Sequence, residues 1–118
     1  MILEPIQGQG GDNHFRKEFI QELRKICNRN NILLIFDEIQ TGIGLTGKFW
    51  AFEHYDVHPD IVCFGKKSQV CGILASNKID EVQGSVFSES GRINSTWGGS
   101  LTDMVRFTYI LKIIESEN

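Results

Sequence analysis

Two short runs carry the residues best suited to chemistry. Phe36-Asp37-Glu38-Ile39-Gln40-Thr41-Gly42 places a carboxylate at the end of an apolar stretch, and Phe64-Gly65-Lys66-Lys67-Ser68 places two amines at the end of another. A lysine desolvated at such a position has a lowered pKa and becomes a nucleophile toward an aldehyde. A buried carboxylate can keep a heteroaromatic nitrogen protonated. Together these are the two protein groups that pyridoxal-phosphate chemistry requires. An ion pair closing a sheet edge would use the same residue types, and spacing alone leaves both readings open.

Other patterns compete for attention and fare worse. Gly42-Ile43-Gly44-Leu45-Thr46-Gly47 matches GxGxxG after an apolar run, as a dinucleotide-binding fingerprint would. Asp37 to Thr41 intervene, however, where that fingerprint needs an immediate tight turn, and the next apolar run exits into lysines instead of an acidic ribose ligand. His14, His54 and His58 have no partner at a metal-ligand spacing and read as surface or turn residues. Cys27, Cys63 and Cys71 are odd in number, form no CxxC pair and lie in or beside apolar segments, which suits buried, reduced thiols.

The elements that must position these residues follow from periodicity. Met1 to Glu4 reads as a short strand closed by Pro5, followed by a turn-rich segment from Gly8 to Asn13. Phe15, Phe19, Ile20, Leu23, Ile26 and Cys27 fall on one helical stripe, with Asp12 or Asn13 available as N-cap. Ile32 to Phe36 and Ile61 to Phe64 are continuous apolar runs too short for helices, the mark of strands buried on both faces. Gly72 to Ala75 is a weaker strand candidate, and Lys78 to Val82 makes one helical turn. Leu101, Met104, Val105, Thr108, Leu111 and Ile114 outline a second amphipathic helix, with Ser100 placed to cap it. Strand, helix and strand in succession predict an α/β unit with parallel strands. Ligands of such sheets bind beyond the carboxyl ends of the strands, where Asp37 and Lys66 stand.

The 118 residues carry 12 basic and 15 acidic side chains, a formal charge of −3 with no block of like sign. Nothing in that balance suits nucleic acid or an anionic membrane. No basic leader with a long apolar run and no membrane-length segment is evident, so a cytoplasmic location is expected. Size and apolar content suit one domain or part of one. Two helices are few for a sheet apolar on both faces, so the core reads as underprovided.

Four motifs occur in one order: Glu4-Pro5-Ile6-Gln7-Gly8, Phe36-Asp37-Glu38-Ile39-Gln40-Thr41-Gly42, Phe64-Gly65-Lys66-Lys67, and Asn94-Ser95-Thr96-Trp97-Gly98-Gly99. In that order they resemble the class III, or omega-type, aminotransferases, over essentially the whole chain. Within that family the wording is most similar to the lysine-specific members, with the 4-aminobutyrate enzymes next. The resemblance implies an α/β fold, part of the large domain of a fold-type I transferase, with a mostly parallel sheet and helices on both faces.

The same resemblance assigns roles. Pyridoxal 5′-phosphate would be the cofactor, with Lys66 as the catalytic Schiff-base lysine, Asp37 the partner of the pyridine nitrogen and Gln40 a neighbour of the phenolic oxygen. Lys66 is preferred to Lys67 because the family's usual spacing from the aspartate falls on it; Lys67 would be a solvated or phosphate-side charge. Thr96 matches a threonine that reaches the cofactor phosphate of the other subunit, which implies a homodimer. Gln9 and Asn94 are candidate substrate contacts. Gln9 departs from the family, which usually has glutamate there to pair with an arginine C-terminal to this chain, and that puts dual-substrate gating in doubt. The implied reaction transfers the ε-amino group of lysine to 2-oxoglutarate, with 4-aminobutyrate or another omega-amino acid as the alternative donor. Because whole enzymes of this family are several times longer, residues 1–118 read as an internal portion, lacking the cofactor-phosphate loop and the small domain. The isolated portion is therefore expected to be inactive, and a non-catalytic fragment is the rival reading.

Overall fold

The computed structural model describes residues 1–94 and 98–117. Its centre is a four-stranded sheet, β1 (Ile2–Leu3), β2 (Ile35–Asp37), β3 (Ile61–Phe64) and β4 (Gly72–Ala75), paired in that sequential order. The first three strands are parallel, with Leu3 opposite Phe36 and Asp37 opposite Cys63. β4 runs antiparallel to β3, placing Gly72 against Phe64. The mostly parallel α/β architecture expected from the sequence is the one the chain has.

Between β1 and β2 lies helix α1 (Lys17–Arg29), which buries Ile20 and Cys27 and half-buries Leu23 against the sheet. Phe19 and Ile26, at the margins of the predicted stripe, are exposed. Neither Asp12 nor Asn13 caps this helix. Arg16 occupies the N-cap position, without a side-chain cap, while Asp12 and Asn13 close the preceding turn: Asp12 N–H donates to Gly8 O and the Asn13 amide to the Gln7 side chain and Gly10 O. β2 also begins later than predicted. Ile32 N–H returns to Cys27 O at the helix end and Leu34 N–H turns to the Asp60 carboxylate, so regular pairing starts only at Ile35.

Side chains alternate across a strand, so Leu34, Phe36 and Val62 point into the core while Ile35, Ile61, Cys63 and Ile73 lie half-buried on the opposite face. The core joins Ile20, Cys27, Leu34 and Phe36 to Tyr55 and Val57. Those last two arrive on the connection from β2 to β3, which is not an α-helix but a run of aromatic residues ending in a 3₁₀ turn, Ala51–Tyr55. Trp50 stacks on Phe52 with ring centres 6.3 Å apart, and Phe52 lies against Phe36. The Tyr55 hydroxyl donates to Pro5 O at 3.1 Å and so fastens this connection to the exit of β1.

Helix α2 (Leu101–Ser116) buries no residue completely. Its contact face is Phe107, Ile110, Leu111 and Ile114, all half-buried, whereas Leu101, Met104 and Val105 of the predicted stripe are exposed. Apolar and polar residues are both spread around this helix, so periodicity selects a face only weakly. Phe107 stacks on Phe64 at 5.8 Å, and Ser100, although at the N-cap position, makes no capping bond. Among the described residues no helix is long and apolar enough to cross a membrane.

Candidate active site

Three parallel strands share one carboxyl end, and their exits deliver Glu4, Asp37 with Gln40, and Lys66 to the same place. A cavity of about 320 Å³ there is lined by Glu4, Gln9, Asp37, Ile39, Gln40 and Lys66. Four of the residues singled out by sequence thus meet. Asn94 does not join them: it is exposed and lines a separate cavity of about 570 Å³ over the Cys63 and Ile73 side of the sheet. Thr96 lies outside the described residues.

Local backbone geometry explains how Lys66 reaches the cavity. Gly65 is extended and buried, and its hydrogen side meets Ile39 and the sulfur of Cys71, where a Cβ would lie 3.1 Å from Sγ. Lys66 then takes a left-handed conformation, φ 51°. An L-residue held there costs about 1–3 kcal/mol and is found where the surroundings enforce it, often at functional sites. The exposed Lys66 ammonium donates to Gln40 Oε1 at 2.5 Å.

Lys67 faces another way. It is half-buried and donates to the main-chain carbonyl of Gln40, so of the two expected roles, a solvated or a phosphate-side charge, it does not fill the first, and it is not among the residues lining this cavity. Burial, and then the neighbouring charge of Lys66, hold its ammonium below the ordinary lysine range.

Asp37 accepts from Ile39 N–H at 3.1 Å, which closes a tight turn around its own carboxylate. Its charge also reaches across the sheet: burial and then Asp37 push the Cys63 thiol above the usual cysteine range. Glu38, the next residue, points into the protein instead and is 1% exposed. It accepts from Thr41 Oγ1, Ala51 N–H and Phe52 N–H. Burial raises its carboxyl pKa, and those hydrogen bonds offset the rise only in part.

The competing readings can be placed as well. After Gly47 no α-helix follows, only the 3₁₀ turn at Ala51, so the GxGxxG run lacks the helix N-terminus on which a pyrophosphate would rest. All three histidines are exposed; His14 bonds Asp12, His54 bonds Thr46, and among the described residues no metal-binding cluster exists. The three cysteines are free, but only Cys27 is buried; Cys63 is half-buried and Cys71 exposed, because the turn before β4 leaves Cys71 at the surface. Two residues escaped notice in the sequence. Glu4 stands in a recognisable motif, yet only the parallel pairing of β1 with β2 shows that its carboxylate shares a wall with Asp37. Glu38 has no signal apart from its neighbours, because its partners, Ala51 and Phe52, are distant in sequence.

The donor set fits a pyridoxal ring: a carboxylate for the ring nitrogen, an amide for the phenolic oxygen, an amine for the aldehyde and the apolar Ile39 beside them. The phosphate is less well served, since the described lining offers one amine against two carboxylates.

Comparison with known proteins identifies the family. The aminotransferase class-III family model matches residues 1–118. The L-lysine-epsilon aminotransferase of Mycobacterium tuberculosis is 59% identical over 116 residues, covering 98% of this chain and 26% of that protein. The 4-aminobutyrate aminotransferase of Emericella nidulans is 42% identical over 117 residues, covering 98% of this chain and 22% of its own length. The solved structure of the M. tuberculosis lysine aminotransferase superposes with a TM-score of 0.90 at 59% identity, over 98% of this chain and 27% of that one. The chain thus spans about a quarter of the length of these relatives. A match along its entire length, a shared fold and an amine, amide and carboxylate gathered at the strand ends make one conclusion: this chain belongs to the class III aminotransferases.

Proposed function

We propose that residues 1–118 form the central portion of the large domain of a pyridoxal-phosphate-dependent aminotransferase, one that moves the ε-amino group of L-lysine to 2-oxoglutarate as a homodimer. The observation that carries this reading is the shared cavity of Lys66, Gln40 and Asp37. When bound, pyridoxal phosphate supplies an aldehyde that accepts the amino group and a cationic ring that withdraws electrons from the bonds being broken. The protein's part is to hold and aim. Asp37, fixed by Ile39 N–H, keeps a proton on the ring nitrogen. Gln40 would offer its amide N–H to the phenolic oxygen without adding charge, while its Oε1 restrains the Lys66 amine. Lys66 Nζ would hold the cofactor through its aldehyde carbon, with loss of water, and once released would move a proton at the amine-bearing carbon of the donor.

Lysine is favoured as donor over 4-aminobutyrate because the lysine-specific relative is 59% identical and the 4-aminobutyrate relative 42%. The test is borohydride reduction of the cofactor-loaded full-length protein followed by peptide mapping. The expected result is a pyridoxyl group on Lys66; a label elsewhere, or none, overturns the reading. Comparing kcat/KM for lysine and 4-aminobutyrate then decides the donor.

A further inference from the structure

Every polar atom of Glu38 is engaged. Its N–H donates to Cys63 O at 2.9 Å and its carbonyl accepts from Gly42 N–H at 2.9 Å. One carboxylate oxygen accepts from Thr41 Oγ1 at 2.9 Å and Ala51 N–H at 2.8 Å, and the other from Phe52 N–H at 2.8 Å. The residue therefore ties the end of β2 to β3, to the turn carrying Gln40, and to the first turn of the 3₁₀ segment. Asp37 and Gln40, which flank it, face the cavity on the other side.

We propose that Glu38 is the positioning residue of the cofactor cavity, setting the places of Asp37 and Gln40 by clamping the turn between them onto the start of the Ala51–Tyr55 segment. The inference rests on the cofactor reading above. An ionised carboxylate suits the task because all three side-chain partners are donors. Glutamine in its place keeps the shape but turns an N–H₂ group toward at least one of those donors, and aspartate is too short to span the gap. A buried donor left facing another donor loses its hydrogen bond outright. The turn then relaxes, and the cavity groups move with it.

The experiment compares variants of the full-length protein in two measurements, the Kd for pyridoxal phosphate and the thermal midpoint of the apo-protein. Asp60 is a second carboxylate of low exposure, at the opposite end of the strands, where it accepts from Leu34 N–H and Arg24. Asp60→Asn therefore reports the effect of lost stability alone. We expect Glu38→Gln to raise the Kd roughly ten- to a hundredfold, the range seen when outer partners of metal ligands are removed, while Asp60→Asn lowers the midpoint and leaves the Kd unchanged. An unchanged Kd in Glu38→Gln, or an equal rise in both variants, overturns the inference. Should Glu38→Gln fail to fold, Thr41→Val removes one donor to the clamp and is expected to raise the Kd severalfold; no change would equally overturn it. Asp37→Asn separates the two levels: if it leaves the Kd unaltered, the cofactor reading falls and this inference with it, whereas a weakened Asp37→Asn beside a normal Glu38→Gln refutes the positioning role alone.

Discussion

Gln40 accepts a hydrogen bond from Lys66 with its side chain and one from Lys67 with its main chain. A single glutamine thereby sorts two adjacent, chemically identical amines, keeping one at the cavity wall and turning the other beneath the loop. The pairing gives Lys66 a neutral side-chain acceptor that a ligand can displace, whereas the carbonyl held by Lys67 is part of the turn itself.

That difference predicts unequal phenotypes. Lys66→Ala should abolish borohydride-stable attachment of the cofactor and lower turnover by on the order of 10²–10⁴-fold, the range for loss of a positioned proton-transfer group. Lys67→Met should retain the label on Lys66 and lose only a small part of the activity. Mass spectrometry of reduced peptides and steady-state kinetics check both.

Gln9 is exposed and lines the cavity together with Glu4 and Asp37. The family resemblance implies an arginine partner for this position in the complete protein, and a neutral amide holds a guanidinium less firmly than a carboxylate does. Gln9→Glu should therefore raise KM for 2-oxoglutarate by roughly tenfold, by competing for that arginine. An unchanged KM would show that Gln9 has no part in acceptor choice.

The buried Glu38 and the half-buried Asp60 should give opposite pH responses. For Asp60 burial raises the pKa, but Leu34 N–H, Arg24 and Lys78 more than reverse this, and the group ends below its ordinary value. Its stabilisation is complete above the unfolded pKa of about 3.9 and is lost as pH falls through the folded value. Glu38 is raised, so the stability it lends through protonation is present below about 4.3 and lost as pH rises through its folded pKa. Asp60→Asn should cost about 1–3 kcal/mol at neutral pH, with the gap to wild type closing in acid. Thermal melts across the acid range measure that convergence.

Gly42 has no room for a side chain: a Cβ there would lie 2.8 Å from the Trp50 ring and 2.9 Å from Glu38 O. Gly42→Ala should destabilise the protein by about 1–3 kcal/mol, the usual cost of overpacking. Because the displaced atoms belong to the Glu38 turn, cofactor affinity should fall together with the melting temperature.

The strand exits were legible because a parallel strand buried on both faces reads as an apolar run, and Asp37 and Lys66 each follow one. Direction was not. Nothing in Gly72-Ile73-Leu74-Ala75 distinguishes an antiparallel neighbour from a parallel one, since pairing depends on where the preceding turn sends the chain. The connection through Trp50, Phe52 and Tyr55 was missed for a related reason: its aromatic residues follow no helical period, and their burial depends on Phe36 and α1 coming together first. Helix α2 was located by its apolar stripe, of which Leu111 and Ile114 belong to the packed face and Leu101, Met104, Val105 and Thr108 do not. Glu38 shows the limit most clearly, because charge in a sequence suggests solvent, and only the backbone N–H groups of Ala51 and Phe52 make burial tolerable.

The left-handed backbone of Lys66 bears on how this loop can change over time. The torsion at one residue, following an extended glycine, selects which amine is presented, so the choice between neighbours is made by register and not by side-chain type. Deleting Gly65 would bring Lys67 to the place of Lys66, whereas inserting a residue before Lys66 would carry it to the place of Lys67 and leave the cavity position without an amine. A change of length in this loop is therefore what would move an amine into or out of the cavity.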